Sequence, residues 1–153
     1  MKRGGTQKLL LYIENITGIE LRGAKVPISS VFCSFCLCLS TFYPYLVVAS
    51  TAKHGFDNAF PRHTHSSLRQ TSRLFSAHLN QNESFPGFAA AVLSAVALGK
   101  GSSARVAALA LLHVTFRTFY LAFYYMNVPT LRTQAFVASW HCVALIFAES
   151  IKS

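Results

Sequence analysis

RLFSAHLNQNESFPGFAAAVLSAVAL, residues 73–98, joins two chemistries in one run: Asn80, Gln81, Asn82 and Glu83 stand in a row, and from Phe85 onward the chain is as apolar as a membrane span. We read Leu74–Leu98 as a single helix. A helix that carries a carboxylate and three amides into hydrocarbon must turn them toward partners, because an ionisable group facing lipid is costly. The stretch therefore predicts a bundle with a polar interior.

Composition supports a membrane setting. Of 153 residues, 52% are hydrophobic and 12% charged, against roughly 25% charged in a soluble domain. The apolar residues fall in blocks of about 20 or more, the length that spans a bilayer: Val26–Ala52, Leu74–Leu98, Ala104–Met126 and Thr133–Ile151. The expected fold class is all-α, an integral membrane four-helix bundle forming one domain over 26–153. A polar tail, 1–25, precedes it, with Lys2, Arg3, Lys8, Arg22 and Lys25 set against Glu14 and Glu20. Its apolar run Leu9–Ile13 is too short for a secretory signal, and the two glutamates are atypical of an organelle transit peptide. Lys53–Ser72 is rich in turn formers and reads as a loop between the first two spans.

The net charge is +9, yet nucleic acid is not an expected partner. Basic residues lie in the tail, the loops and at span ends, where lipid headgroups and small anions meet them, and no aromatic-interleaved basic motif appears. The C-x-x-C-x-C run of Cys33, Cys36 and Cys38, like Cys142, lies inside an apolar span and lacks a second ligand pair, so the cysteines read as packing residues. His54, His63 and His65 have no acidic neighbour suited to a metal, and no metal site is expected.

Gly99–Ser103 (GKGSS) is a tight turn, so the second and third spans form an antiparallel hairpin. Glu83 lies 18 residues before Gly101 and Arg117 lies 16 after it, which at about 1.5 Å per residue puts them within about 3 Å of one depth. A carboxylate and a guanidinium at one level are expected to pair. Arg73, Asn80 and Glu83 share one face of the second span. His113, Arg117, Tyr120 and Tyr124 recur at four, three and four on the third. Arg73, Asn80, Tyr120, Tyr124 and Arg132 gather at the end away from the turn, together with Arg62 and Arg69 from the loop. Guanidinium and phenol donors at one mouth suit a small anionic ligand bearing carboxylates, and apolar walls below suit a lipophilic second substrate.

These residues carry a resemblance. A-H-x-N-x-x-E-x-F-P (Ala77, His78, Asn80, Glu83, Phe85, Pro86), R-x-x-Y-x-x-x-Y (Arg117, Tyr120, Tyr124) and R-T (Arg132, Thr133) resemble the MAPEG family, the membrane-associated proteins in eicosanoid and glutathione metabolism. Asp57, Asn58, Pro61 and Arg62 are similar to a loop of its general branch. The resemblance implies a four-helix protomer assembled as a homotrimer that binds glutathione between subunits. It also implies delivery of the glutathione thiolate to a lipophilic electrophile or lipid hydroperoxide, as a transferase or peroxidase. By position, Asn80 and Glu83 would hold the peptide, Arg117 would partner Glu83 or add a contact, and Arg73, His78, Tyr120 and Tyr124 would complete the binding site. Arg132 would stabilise the thiolate and Thr133 would add a hydroxyl hydrogen bond. Ser76 and Leu79 stand where the glutathione-using synthases of the family carry arginines, so a non-catalytic member that binds lipid or a protein partner is the alternative. The expected location is an internal membrane, the endoplasmic reticulum in a eukaryote or the inner membrane in a bacterium. Basic residues divide five against six between the two ends, so charge does not orient the bundle.

Overall fold

The computed structural model describes residues 25–50 and 69–152, apart from the side chains of 41–50, 69–71 and 74. Four helices follow in order: α1 (Lys25–Ser50), α2 (Arg69–Ala97), α3 (Ala104–Tyr125) and α4 (Pro129–Ser150). No strand occurs among the described residues. The expected polar tail before Lys25 and residues 53–68 of the expected loop lie outside them. The remaining four residues of that loop, 69–72, are the first turn of α2. Helix α4 likewise begins four residues before Thr133, because Pro129 is preorganised for a first helical position and its missing N–H would be unused there.

Among the described residues two helices, α3 and α4, are long and apolar enough to cross a membrane. The fully described apolar part of α1 runs Lys25–Ser40, and the polar first half of α2 dilutes the apolar second half. Pro86 lies inside α2 without ending it.

The packing is rhombic in cross-section. Contacts are most extensive between α3 and α4 and between α1 and α2. The α2–α4 and α1–α3 pairs come next, and α1 and α4 make no extensive contact among the described residues. Helices α2 and α3 face each other across the short diagonal but make the fewest backbone approaches of the packed pairs. Large side chains fill the space between them. Phe88 of α2 stacks on His113 of α3 with ring centroids 3.9 Å apart, and His113 Nδ1 donates to the Ser139 carbonyl of α4 at 3.1 Å. One ring thus links three helices.

The buried stripe of α2 is Ala77, Gln81, Ser84, Phe88, Ala91, Val92, Ala95 and Val96, which recurs at helical spacing. On α3 it is Val106, Ala110, His113, Arg117, Tyr120 and Leu121. The α1 stripe is small and partly polar, with Ser30, Ser34 and Cys38 buried. Small residues allow close helix approach, and the Cys38 thiol reaches the Gln81 carbonyl of α2 at 3.7 Å. Cys33 and Cys36 face outward, so the three cysteines of the motif do not converge. Gly87 opens space on α2 for Trp140 of α4: a Cβ there would lie 3.1 Å from the indole.

Both described turns end a helix in the same way. Gly99 (φ 73°) and Asn127 (φ 59°) adopt the left-handed conformation. In each, the next amide reaches back over the turn, Lys100 to the Ala95 carbonyl at 2.8 Å and Val128 to Phe123 at 3.0 Å. These are Schellman motifs, which occupy carbonyls that the helix end leaves unpaired. Nothing lies within 4 Å of a Cβ built on Gly99, so the cost of a side chain there is that of the backbone alone. Gly99→Ala is expected to destabilise the protein by about 1 kcal/mol. Asn127→Gly, where the native residue already bears that cost, should change stability by less than about 0.5 kcal/mol. Thermal unfolding in detergent measures both, and equal losses at the two sites would contradict the assignment.

Candidate functional site

Arg117 is fully buried, with 0% exposure. Its guanidinium is met by neutral oxygens of α2. Nε donates to Gln81 Oε1 at 2.7 Å and Nη2 to the same oxygen. Nη2 also donates to the Asn80 carbonyl and to Asn80 Oδ1, both at 3.1 Å. Charge-assisted bonds of this kind are among the stronger ones in a protein interior.

This corrects the ion pair expected from depth. Glu83 is exposed and makes no salt bridge with Arg117. The level was right and the direction was not. On a helix with about 100° per residue, Gln81 and Glu83 lie on opposite sides of Asn80. Burying the stripe that runs from Ala77 through Ser84 to Phe88 takes Gln81 inward and leaves Glu83 outside. The signal for Gln81 lies in the spacing of its buried neighbours Ala77, Ser84 and Phe88.

Beside Arg117 lies a pocket of about 210 Å³ lined by Asn80, Tyr120, Tyr124, Arg132, Thr133 and Phe136. Three elements build it. Helix α2 supplies Asn80, α3 supplies the two tyrosines one turn apart, and the first two turns of α4 supply the rest. The Asn127 turn is what returns the chain so sharply that Arg132 comes back over α3. The walls are an alternation of cations and rings. Arg117 Cζ sits 4.4 Å from the Tyr120 ring centroid, Tyr120 and Tyr124 meet edge to face at 5.5 Å, and Arg132 Cζ lies 4.7 Å from the Tyr124 centroid. Each contact is a favourable arrangement of positive charge or ring edge over a π face. Thr133 donates its hydroxyl proton to the Pro129 carbonyl at 3.0 Å, so its oxygen is left as an acceptor.

Five of the nominated residues therefore converge: Asn80, Tyr120, Tyr124, Arg132 and Thr133. Phe136, which packs 6.2 Å from Tyr120, was not singled out and had no signal beyond its apolar spacing on α4. Arg117 stands behind the wall and contacts Asn80 instead of lining the space. Glu83 and His78 are not part of the pocket wall; His78 Nε2 accepts from Asn82 Nδ2 at 2.9 Å along the same helix. Arg73 is half-buried two turns before Asn80 and also lies off the wall.

A second, apolar groove runs along α4 between Thr130, Thr133, Gln134, Val137, Ala138 and His141, with a volume of about 570 Å³. It shares Thr133 with the polar pocket. Its lining comes from one face of α4 alone, so it is an open apolar surface next to the polar pocket, with Thr133 at the boundary of the two. A pocket of 210 Å³ is below the ~300–1,000 Å³ that encloses a drug-sized ligand, so the described walls alone do not enclose one.

The sequence matches the family model for MAPEG over residues 30–152, nearly the whole chain. No curated protein and no solved structure matches it. With the match extending from α1 through the end of α4, the chain belongs to the MAPEG family.

Proposed function

We propose that the protein is a membrane-bound, glutathione-dependent transferase or peroxidase acting on lipophilic electrophiles or lipid hydroperoxides. The observation that carries this reading is the meeting of Arg132 and Asn80 in one pocket that opens beside an apolar groove, in a chain of this family. Glutathione brings carboxylates and a thiol. Arg132 favours the thiolate over the thiol and so raises the nucleophilic fraction at neutral pH, while the Thr133 oxygen and the tyrosine hydroxyls complete the polar wall. In transfer, the thiolate sulfur bonds to the electrophilic carbon and the leaving group departs with its electron pair. In the peroxidase reaction, two glutathiones are oxidised to the disulfide while the hydroperoxide is reduced to an alcohol and water. No side chain of the protein is consumed in either.

All four helices are proposed to span the membrane, and three copies to form the working unit. Glu83 supports assembly: an exposed carboxylate on a helix of an otherwise apolar bundle is costly against lipid, and a neighbouring subunit would cover it. The size of the pocket agrees, since a second chain would supply the remaining wall. Glu83, His78 and Arg73 then belong to the subunit boundary. A second reading is favoured by Ser76 and Leu79, neither of which offers a cation to a ligand carboxylate. In it, the bundle binds lipid or a protein partner without chemistry.

Arg132→Leu is expected to lower turnover with chlorodinitrobenzene by about 10–100-fold, or ~1.4–2.7 kcal/mol of barrier, with a smaller effect on glutathione affinity. Asn80→Ala should mainly weaken binding. Purified wild-type protein with no turnover above background on several electrophiles and a lipid hydroperoxide would favour the binding reading. For assembly, Glu83→Gln should leave helix content intact and shift native mass spectra from trimer toward smaller species; an unchanged trimer would remove Glu83 from the interface.

A further inference from the structure

The two amides against Arg117 cannot choose which end they present. A guanidinium has five N–H donors and no acceptor, so Gln81 and Asn80 must both turn their oxygens to it, a case in which the hydrogen-bond network fixes the amide orientation. Gln81 does so with its Oε1 on Nε at 2.7 Å and also on Nη2. The orientation has a visible cost, because Gln81 Nε2 is buried without a partner among the described residues. Asn80 turns its Oδ1 to Nη2 at 3.1 Å. It is half-buried and forms part of the pocket wall, and its unengaged amide atom is Nδ2.

That leaves an N–H2 group toward the pocket, where Arg132 also brings only donors. Were Arg117 absent, the Asn80 amide would be free to rotate and offer its oxygen or its nitrogen to suit either a donor or an acceptor. With Arg117 in place, and Arg117 itself held by Gln81, only one of the two faces is available.

We propose that Gln81 and Arg117 are positioning residues that lock the Asn80 amide with its N–H2 toward the pocket, making this wall selective for an acceptor group, a carboxylate or peptide carbonyl. The proposal rests on the pocket being where glutathione binds. It assigns to Gln81, which touches no ligand, the choice of which ligand atoms Asn80 can donate to, and it adds a requirement that Arg132 and the tyrosines do not impose.

The full chain in detergent provides the test, with Gln81→Met, Gln81→Glu and Asn80→Asp. Methionine keeps the volume and removes the oxygen, whereas glutamate restores an oxygen against the guanidinium. Gln81→Met is expected to raise the KM and Kd for glutathione about tenfold with kcat within about twofold of wild type. Gln81→Glu should rescue both, and Asn80→Asp, an acceptor where a donor is required, should bind more weakly than Gln81→Met. A second readout needs no ligand. The Arg117 Nε–H resonance, assigned by its loss in Arg117→Lys, should be protected from solvent exchange in wild type and Gln81→Glu and lost in Gln81→Met. Wild-type affinity in Gln81→Met, failure of Gln81→Glu to rescue, or an unaltered resonance in Gln81→Met would each overturn the relay. Wild-type protein that binds no glutathione overturns the functional reading instead, and the resonance then judges the relay alone.

Discussion

Arg117 brings a permanent charge, with donors and no acceptor, to a position that water does not reach, and the bundle must meet it with oxygen. Leaving such a group unpaired in an interior costs several kcal/mol. The protein answers with two consecutive side chains of α2 and a backbone carbonyl of the same segment. Because those acceptors lie on one short stretch, α2 is fixed against α3 in both rotation and height. The Phe88–His113 stack, two turns along α2, then falls into register and carries the contact on to α4 through Ser139. The few close backbone approaches between α2 and α3 follow from what lies between: a guanidinium, two amides and two rings need more room than alanines do.

The same interaction explains why the pocket lies where it does. Tyr120 and Tyr124 follow Arg117 on one face of α3, so the ring ladder begins at the buried cation and ends at Arg132, whose position depends on the Asn127 turn. Two cations thus bracket two phenols. One is buried with Nε and Nη2 bonded to α2 and Nη1 without a partner among the described residues, and the other is half-buried in the pocket wall. The inner one holds the wall through Asn80 and Gln81, and the outer one lines the pocket.

Much of this was legible in the sequence because it follows from spacing. The α3 stripe, the GKGSS turn and the convergence of Asn80, Tyr120, Tyr124 and Arg132 come from helical periodicity and short connections, whereas Thr133 entered through the family resemblance and Arg73, expected at the same mouth, lies off the wall. Two things were less accessible. Helix starts at Arg69 and Pro129 precede the apolar blocks, since polar residues in a first turn lie beyond the apolar part that hydropathy detects. The partner of Arg117 was misjudged because formal charge outweighed direction: Glu83 offers the better counter-charge, but Gln81 lies on the stripe that must be buried. Packing of a continuous inner face decided the matter over a pairwise attraction.

The start of α4 has a further effect on the pocket. Val128 provides no side-chain cap and Pro129 has no amide hydrogen, so the amides of Thr130 and Leu131 have no acceptor within the helix. They form the positive end of the α4 macrodipole, equivalent to roughly half an elementary charge, one residue away from Arg132. Part of the positive potential at the mouth therefore belongs to the main chain. It does not titrate and no side-chain substitution removes it, so an anion approaching from water meets a built-in field even before it reaches the guanidinium.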